Sequence, residues 1–207
     1  MIAAHRKLGR RLAGWGTTAA LMVAFTGAAD AVTVPKPLRA WLHATDASPT
    51  ADQLRRASAH VHHELGAVAR DPAEHRYARH RAIALLSRLS DDQATAILLG
   101  LRDLNDPSLR ATLAVALAAG PGARQPERIA GVLADWHPKQ RLEVRAAIAR
   151  ALAMLPAPAV ARRAAVRLRR AEPDAAVRAL LDRTIRAGAP ASPPRKPSRK
   201  PRSESKR

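Results

Sequence analysis

The residues with the most chemical potential in this 207-residue chain lie in His60-Val61-His62-His63-Glu64. On a helix, His60, His63 and Glu64 share one face at i, i+3 and i+4. Imidazole with carboxylate would suit zinc or nickel, and His75 and His80 on the next helix could approach. Protonation of such a cluster at about pH 6 would also strengthen anion binding. The zinc-hydrolase pattern His-Glu-x-x-His does not occur, and the same residues fit the solvated face of a long amphipathic helix. No cofactor or metal is expected, with His60, His63 and Glu64 the one candidate metal set.

Other catalytic chemistry finds little footing. There is no Gly-rich phosphate loop, no Gly-x-Ser-x-Gly and no Cys. Asp91-Asp92 sits at a helix start, where capping accounts for it. A basic helical enzyme acting on nucleic acid would need an aromatic-lined base site. Beyond the N-terminal segment the aromatic side chains are Trp41, Tyr77 and Trp136. The chain reads as a non-enzyme.

Charge is the stronger signal: 36 Lys and Arg stand against 17 Asp and Glu. Arg162, Arg163, Arg167, Arg169 and Arg170 crowd one helix, with Arg163, Arg167 and Arg170 along one ridge. Ala161, Ala164, Ala165 and Leu168 take its buried side, and the nearest acids are Glu172 and Asp174. An under-neutralised row of like charges costs stability and points to an anionic partner. Residues 187–207 carry seven more positive charges, including Arg195, Lys196, Arg199, Lys200 and Arg202, against Glu204 alone. Without large apolar side chains this tail is expected to be disordered, extended by its prolines, and attracted to polyanions. Having no aromatic side chain, it cannot stack on bases.

The elements that position these groups are helical, since Ala, Leu and Arg dominate and all three favour helix. Cap signals predict a short helix near Pro37–Leu42, then helices from Thr50 to about Arg70 and from Asp71-Pro72 to about Leu89. Further helices are expected from Ser90 through Leu104, from Asp106-Pro107 to Gly120, over Gln125–Asp135, over Lys139–Met154, over Val160–Arg170, and from Glu172-Pro173 to near Gly188. Two motifs recur. Leu109-Arg110, Val144-Arg145 and Val177-Arg178 open alternate helices, with Tyr77-Ala78-Arg79 a degenerate first copy. The stripe Ala94, Ile97, Leu98, Leu101 returns as Ile129, Val132, Leu133, Trp136 and as Ala161, Ala164, Ala165, Leu168. A period of this length marks stacked helical pairs. Each repeated arginine (Arg110, Arg145, Arg178) is expected to pair with an acid of a neighbouring repeat, from among Asp71, Asp106, Asp135 and Glu172.

An apolar-Arg pair after Asp-Pro or Glu-Pro, followed by Ala and Leu at helical spacing, resembles the HEAT-repeat family in its short bacterial form. The resemblance covers about residues 71–186, and His137-Pro138 departs from it where Asp-Pro is expected. It implies an all-α, right-handed α-solenoid of about 3–4 helical pairs, a scaffold or adaptor architecture that names no partner. The tetratricopeptide pattern has a similar period but wants aromatic and Gly-Tyr positions missing here.

Residues 1–31 read as a signal peptide. A positive start (Arg6, Lys7, Arg10, Arg11) precedes an apolar stretch from Leu12 to Phe25, and Ala29-Asp30-Ala31 suits cleavage after Ala31. The apolar part is diluted by Gly14 and Gly16 and is short for a membrane anchor, which is the alternative. Arg10-Arg11 only weakly matches twin-arginine export. The expected organisation is a signal peptide (1–31), a lead-in (32–49), the helical stack (50–186) and the basic tail (187–207). Such a protein would be periplasmic or secreted. It would bind a protein partner or a polyanion such as anionic lipid, lipopolysaccharide or a wall polymer, and nucleic acid only if it were not exported.

Overall fold

The computed structural model describes residues 34–46 and 48–189, within the unit Val32–Arg207, and all regular structure among them is helical. The expected signal peptide and the charged part of the tail lie outside the described residues. The helices are α1 (Lys36–His43), α2 (Ala51–Ala57), α3 (Val61–Arg70), α4 (Arg76–Leu89), α5 (Asp92–Leu99), α6 (Pro107–Ala119), the single turn α7 (Pro121–Arg124), α8 (Pro126–Trp136), α9 (Leu142–Met154), α10 (Pro158–Arg169) and α11 (Ala175–Ala187). A 3-10 turn, His137–Lys139, joins α8 to α9.

Local chemistry explains most boundaries. The carboxylates of Asp91, Asp106 and Asp174 accept from backbone N–H groups at the starts of α5, α6 and α11, and Thr50 with Gln53 forms a full capping box on α2. Proline stands within the first turn of α6, α8 and α10, where its missing N–H costs nothing.

Several boundaries differ from expectation: Glu172-Pro173 does not open the last helix, which starts at Ala175 behind the Asp174 cap, and α9 starts at Leu142, after the 3-10 turn that includes Lys139. The helix expected from Thr50 to Arg70 is two helices, because Ser58 is extended (φ −156°, ψ 137°) and its hydroxyl accepts from the His60 N–H at 3.0 Å. Asp71-Pro72 does not start α4. Asp71 accepts from the Ala73 N–H at 2.8 Å in a local turn, and His75 caps α4 instead. The fifth helix stops at Leu99, and Leu101 and Leu104 continue as turns.

Packing follows two interleaved sets of helices. In the first, α1 packs on α4, α4 on α6, α6 on α9 and α9 on α11. In the second, α3 packs on α5 and α8 on α10, while α3 also meets α4 and α10 meets α11. The first set shares one apolar register: Ala78, Ala82, Leu86; Leu109, Leu113, Leu117; and Val144, Ile148, Leu152 are all buried. Val177, Leu181 and the partly buried Ile185 repeat it on α11. Steps of four residues keep these side chains on one stripe. The degenerate copy at Tyr77-Ala78-Arg79 thus occupies the full register, with Ala78 in the place of a larger residue.

The second set has its own register. The buried trios are Ala94, Leu98, Leu101; Ile129, Leu133, Trp136; and Ala161, Ala165, Leu168. Val61, Leu65 and Val68 on α3 form a further copy that the sequence reading did not pick out. Packing also reaches N-terminal of Thr50: Leu38 and Leu42 of α1 are buried against the core, so α1 is part of the folded body.

Close approach fixes Gly120. A Cβ on Gly120 would lie 2.2 Å from the Ser87 carbonyl oxygen of α4. This contact lets the end of α6 sit against α4.

Candidate functional site

The expected basic helix is α10, and all five of its arginines are exposed. Val160, Ala161, Ala165 and Leu168 point inward, which leaves Arg162, Arg163, Arg167, Arg169 and Arg170 outside. Two are neutralised by acids that the sequence reading did not assign to them. Arg167 donates to Asp135 of α8 at 2.9 Å, and Arg169 to Asp182 of α11. Both acids lie far from α10 in sequence, so only the packing of α8 and α11 against α10 reveals them. Arg162, Arg163 and Arg170 make no ion pair with any described residue. Arg163 and Arg167 rim a shallow groove of about 250 Å³ between α8 and α10. Gly131 lies on its wall with open space where a Cβ would stand. The tail cations Arg195, Lys196, Arg199, Lys200 and Arg202 lie outside the described residues.

The histidine cluster does not assemble as a ligand set. His60 stands at the N-cap position of α3 with no capping bond from its side chain, His60 and His63 are exposed, and Glu64 is buried with Oε2 unpartnered. Among the described residues no three His, Cys, Asp or Glu side chains are grouped to hold a metal ion. The organised member is His62, whose Nε2 lies 2.8 and 2.9 Å from the Asp91 carboxylate oxygens. Burial opposes ionisation of Asp91. The Ala94 N–H, His62 and Arg55 outweigh it and hold the carboxyl below its ordinary range.

His75 caps α4 by accepting from the Tyr77 N–H, and His80 lies elsewhere. His80 Nδ1 is 2.7 Å from Thr112 Oγ1, and its Nε2 is 3.1 Å from Ser108 Oγ. The Ser108 hydroxyl donates to Asp106 Oδ1 at 2.8 Å. A Ser, a His and an Asp are thus in contact, with the serine between acid and base instead of the base between serine and acid. Asp106 holds the serine proton itself, whereas activation needs the base to take that proton and the acid to orient the base. One proton arrangement satisfies every group: a neutral His80 donating from Nε2 to Ser108 and accepting at Nδ1 from Thr112. Burial first, then Arg76 and Arg79, push the His80 pKa down against the pull of Asp106. Asp106 is desolvated, yet Ser108 and Arg76 hold its carboxyl down at about 2.

The repeated arginines part company. Only Arg145 meets an acid as expected: its Nε lies 3.0 Å from Glu172 Oε2 and its second terminal nitrogen 3.1 Å from Oε1. The Asp174 N–H also donates to Glu172 at 2.9 Å. Arg178 instead donates to the Glu172 and Pro173 carbonyls at 2.9 and 2.8 Å, reaching back over the six and five residues that separate them. Arg110 has no acid, and its buried Nε has no partner. The reason is visible in the register. Glu172 follows Arg145 by 27 residues, and the position equally far after Arg110 is His137. That histidine is buried, with Nε2 lying 3.2 Å from Glu172 Oε2 but outside hydrogen-bonding geometry. Burial lowers its pKa, opposed by Glu172 and reinforced by Arg145.

No family model, curated protein or solved structure matches the chain.

Proposed function

We propose that this chain is an exported, non-catalytic binding scaffold: a right-handed, HEAT-like α-solenoid of about 3–4 helical pairs. It engages a protein or anionic partner through the α10 face and the basic tail. The observation that carries the reading is the set Arg162, Arg163 and Arg170. These are three exposed cations on α10 and its C-cap, without an acid among the described residues, and Arg163 also rims the α8–α10 groove. Helices stacked with a shared register supply the repeating body that scaffolds use. In the Asp106–Ser108–His80 cluster no carboxylate orients the histidine, which favours the non-catalytic reading.

Co-sedimentation with phosphatidylglycerol vesicles tests the electrostatic contact. Binding should weaken steeply with salt. Arg162→Glu, Arg163→Glu and Arg170→Glu together, or removal of 187–207, should each reduce it about tenfold or more without lowering the melting temperature. Binding insensitive to salt and to both changes would sink the proposal. The N-terminal residue of protein recovered from cells tests export: a start at Val32 supports it, and a retained Met1 in the cytoplasm opposes it.

A further inference from the structure

A second groove, away from the α8–α10 surface, opens where the ends of α9 and α11 meet the start of α10. It has a volume of about 370 Å³, within the range of small-ligand sites. Its walls are mostly small and apolar. Ala149, Ala153, Leu155 and Leu180 are among the lining side chains, and Arg150 and Arg183 are the charged ones. One end is shut by backbone. Gly188 approaches Pro158 so closely that a Cβ would lie 2.4 Å from the proline carbonyl oxygen.

Two properties narrow the occupant. Arg150 and Arg183 are exposed and make no ion pair with any described residue, and no Asp or Glu lines the groove. The lining polar hydroxyl, on Thr184, is already spent on the Leu180 carbonyl at 3.3 Å. The lining side chains other than the arginines therefore offer little to a polar ligand body, and the two guanidinium groups are available to an anionic head. A guanidinium presents paired donors that match a carboxylate. With no aromatic side chain in the lining, planar rings gain no stacking there. Alanine walls put no bulky side chain in the way of an unbranched chain.

We infer that this groove binds a medium-chain carboxylate, with the alkyl chain along the Ala153–Leu180 floor and the carboxylate between Arg150 and Arg183. The inference does not depend on the α10 face or on the tail, and it extends the scaffold reading to a small amphiphilic ligand.

Isothermal titration of the full chain with dodecanoate, below its micelle concentration, provides the test. One-to-one saturable binding is expected, weakening roughly two- to fourfold for each methylene removed on going to decanoate and octanoate. Arg150→Ala with Arg183→Ala should weaken dodecanoate tenfold or more, and dodecanol should bind wild type correspondingly more weakly. Ala153→Trp, at an exposed position, should block the groove while leaving circular dichroism and melting unchanged. Absence of saturable binding, a stoichiometry well above one, or full-strength binding by Ala153→Trp would each overturn the inference. Displacement of dodecanoate by an acidic peptide but not by decanoate would do so as well, by assigning the groove to a protein partner.

Discussion

Arg145 on α9 closes on Glu172, whose side chain is wholly shielded from solvent, and so ties α9 to the turn between α10 and α11. A carboxylate out of water is tolerable only with its lone pairs satisfied. Here Arg145 supplies two donors and the Asp174 N–H a third.

Removing one partner should therefore be costly. Glu172→Ala and Arg145→Ala are each expected to destabilise the fold by about 3–5 kcal/mol, with the double substitution costing well under the sum. Urea denaturation of the four proteins measures this. Additive single effects would show that the pair is not coupled.

Stability should fall with acid in two separate windows. His80 and His137 have pKa values lowered from 6.5, so the unfolded chain binds their protons first. Stability then declines as pH drops through about 6.5 toward their folded values. Asp91 and Asp106 have values lowered from 3.8, Asp106 to about 2. Their contribution is complete above the unfolded value and is lost as pH falls toward 2. Thermal melts across pH 2–8 should show both declines. His137→Asn should flatten the upper one, and an unchanged upper slope would contradict the assignment.

Two glycines should respond in opposite directions. Gly120→Ala forces a Cβ onto the Ser87 carbonyl and is expected to cost about 1–3 kcal/mol. Gly131 lies inside α8 with no atom within 4 Å of a would-be Cβ. Gly131→Ala should gain about 0.5–1 kcal/mol from helix propensity alone. Chemical denaturation of both variants gives the signs directly.

The helical content and most helix starts are legible in the sequence, because Asp caps and first-turn prolines are local chemistry. So is the apolar register of α6, α9 and α11, which periodicity exposes. The α3 copy at Val61, Leu65 and Val68 stayed hidden because Ser58 breaks the helix just before it. The fates of the arginines were less accessible. Arg167 and Arg169 find acids on α8 and α11, at distances along the chain that only packing sets. Arg110 lacks one because His137 occupies the place where the next repeat has Glu172. That substitution was visible as His137-Pro138, but its effect on an arginine 27 residues earlier required the fold. The His60, His63 and Glu64 grouping failed because a cap position and a buried carboxylate do not share an open face.

In the chain from α4 through α6 and α9 to α11, each helix packs on the ones before and after it, while α4 rests also on α3 and α11 on α10. Contacts in such an arrangement pass from helix to neighbouring helix along one continuous apolar cluster. Opening is then least costly at the ends, and amide hydrogen exchange should be slowest on α6 and α9 and fastest on α1 and α11. Glu172 gains a second meaning in this light. It clamps the terminal turn to α9 and so sets how readily the last helical pair peels away from the rest.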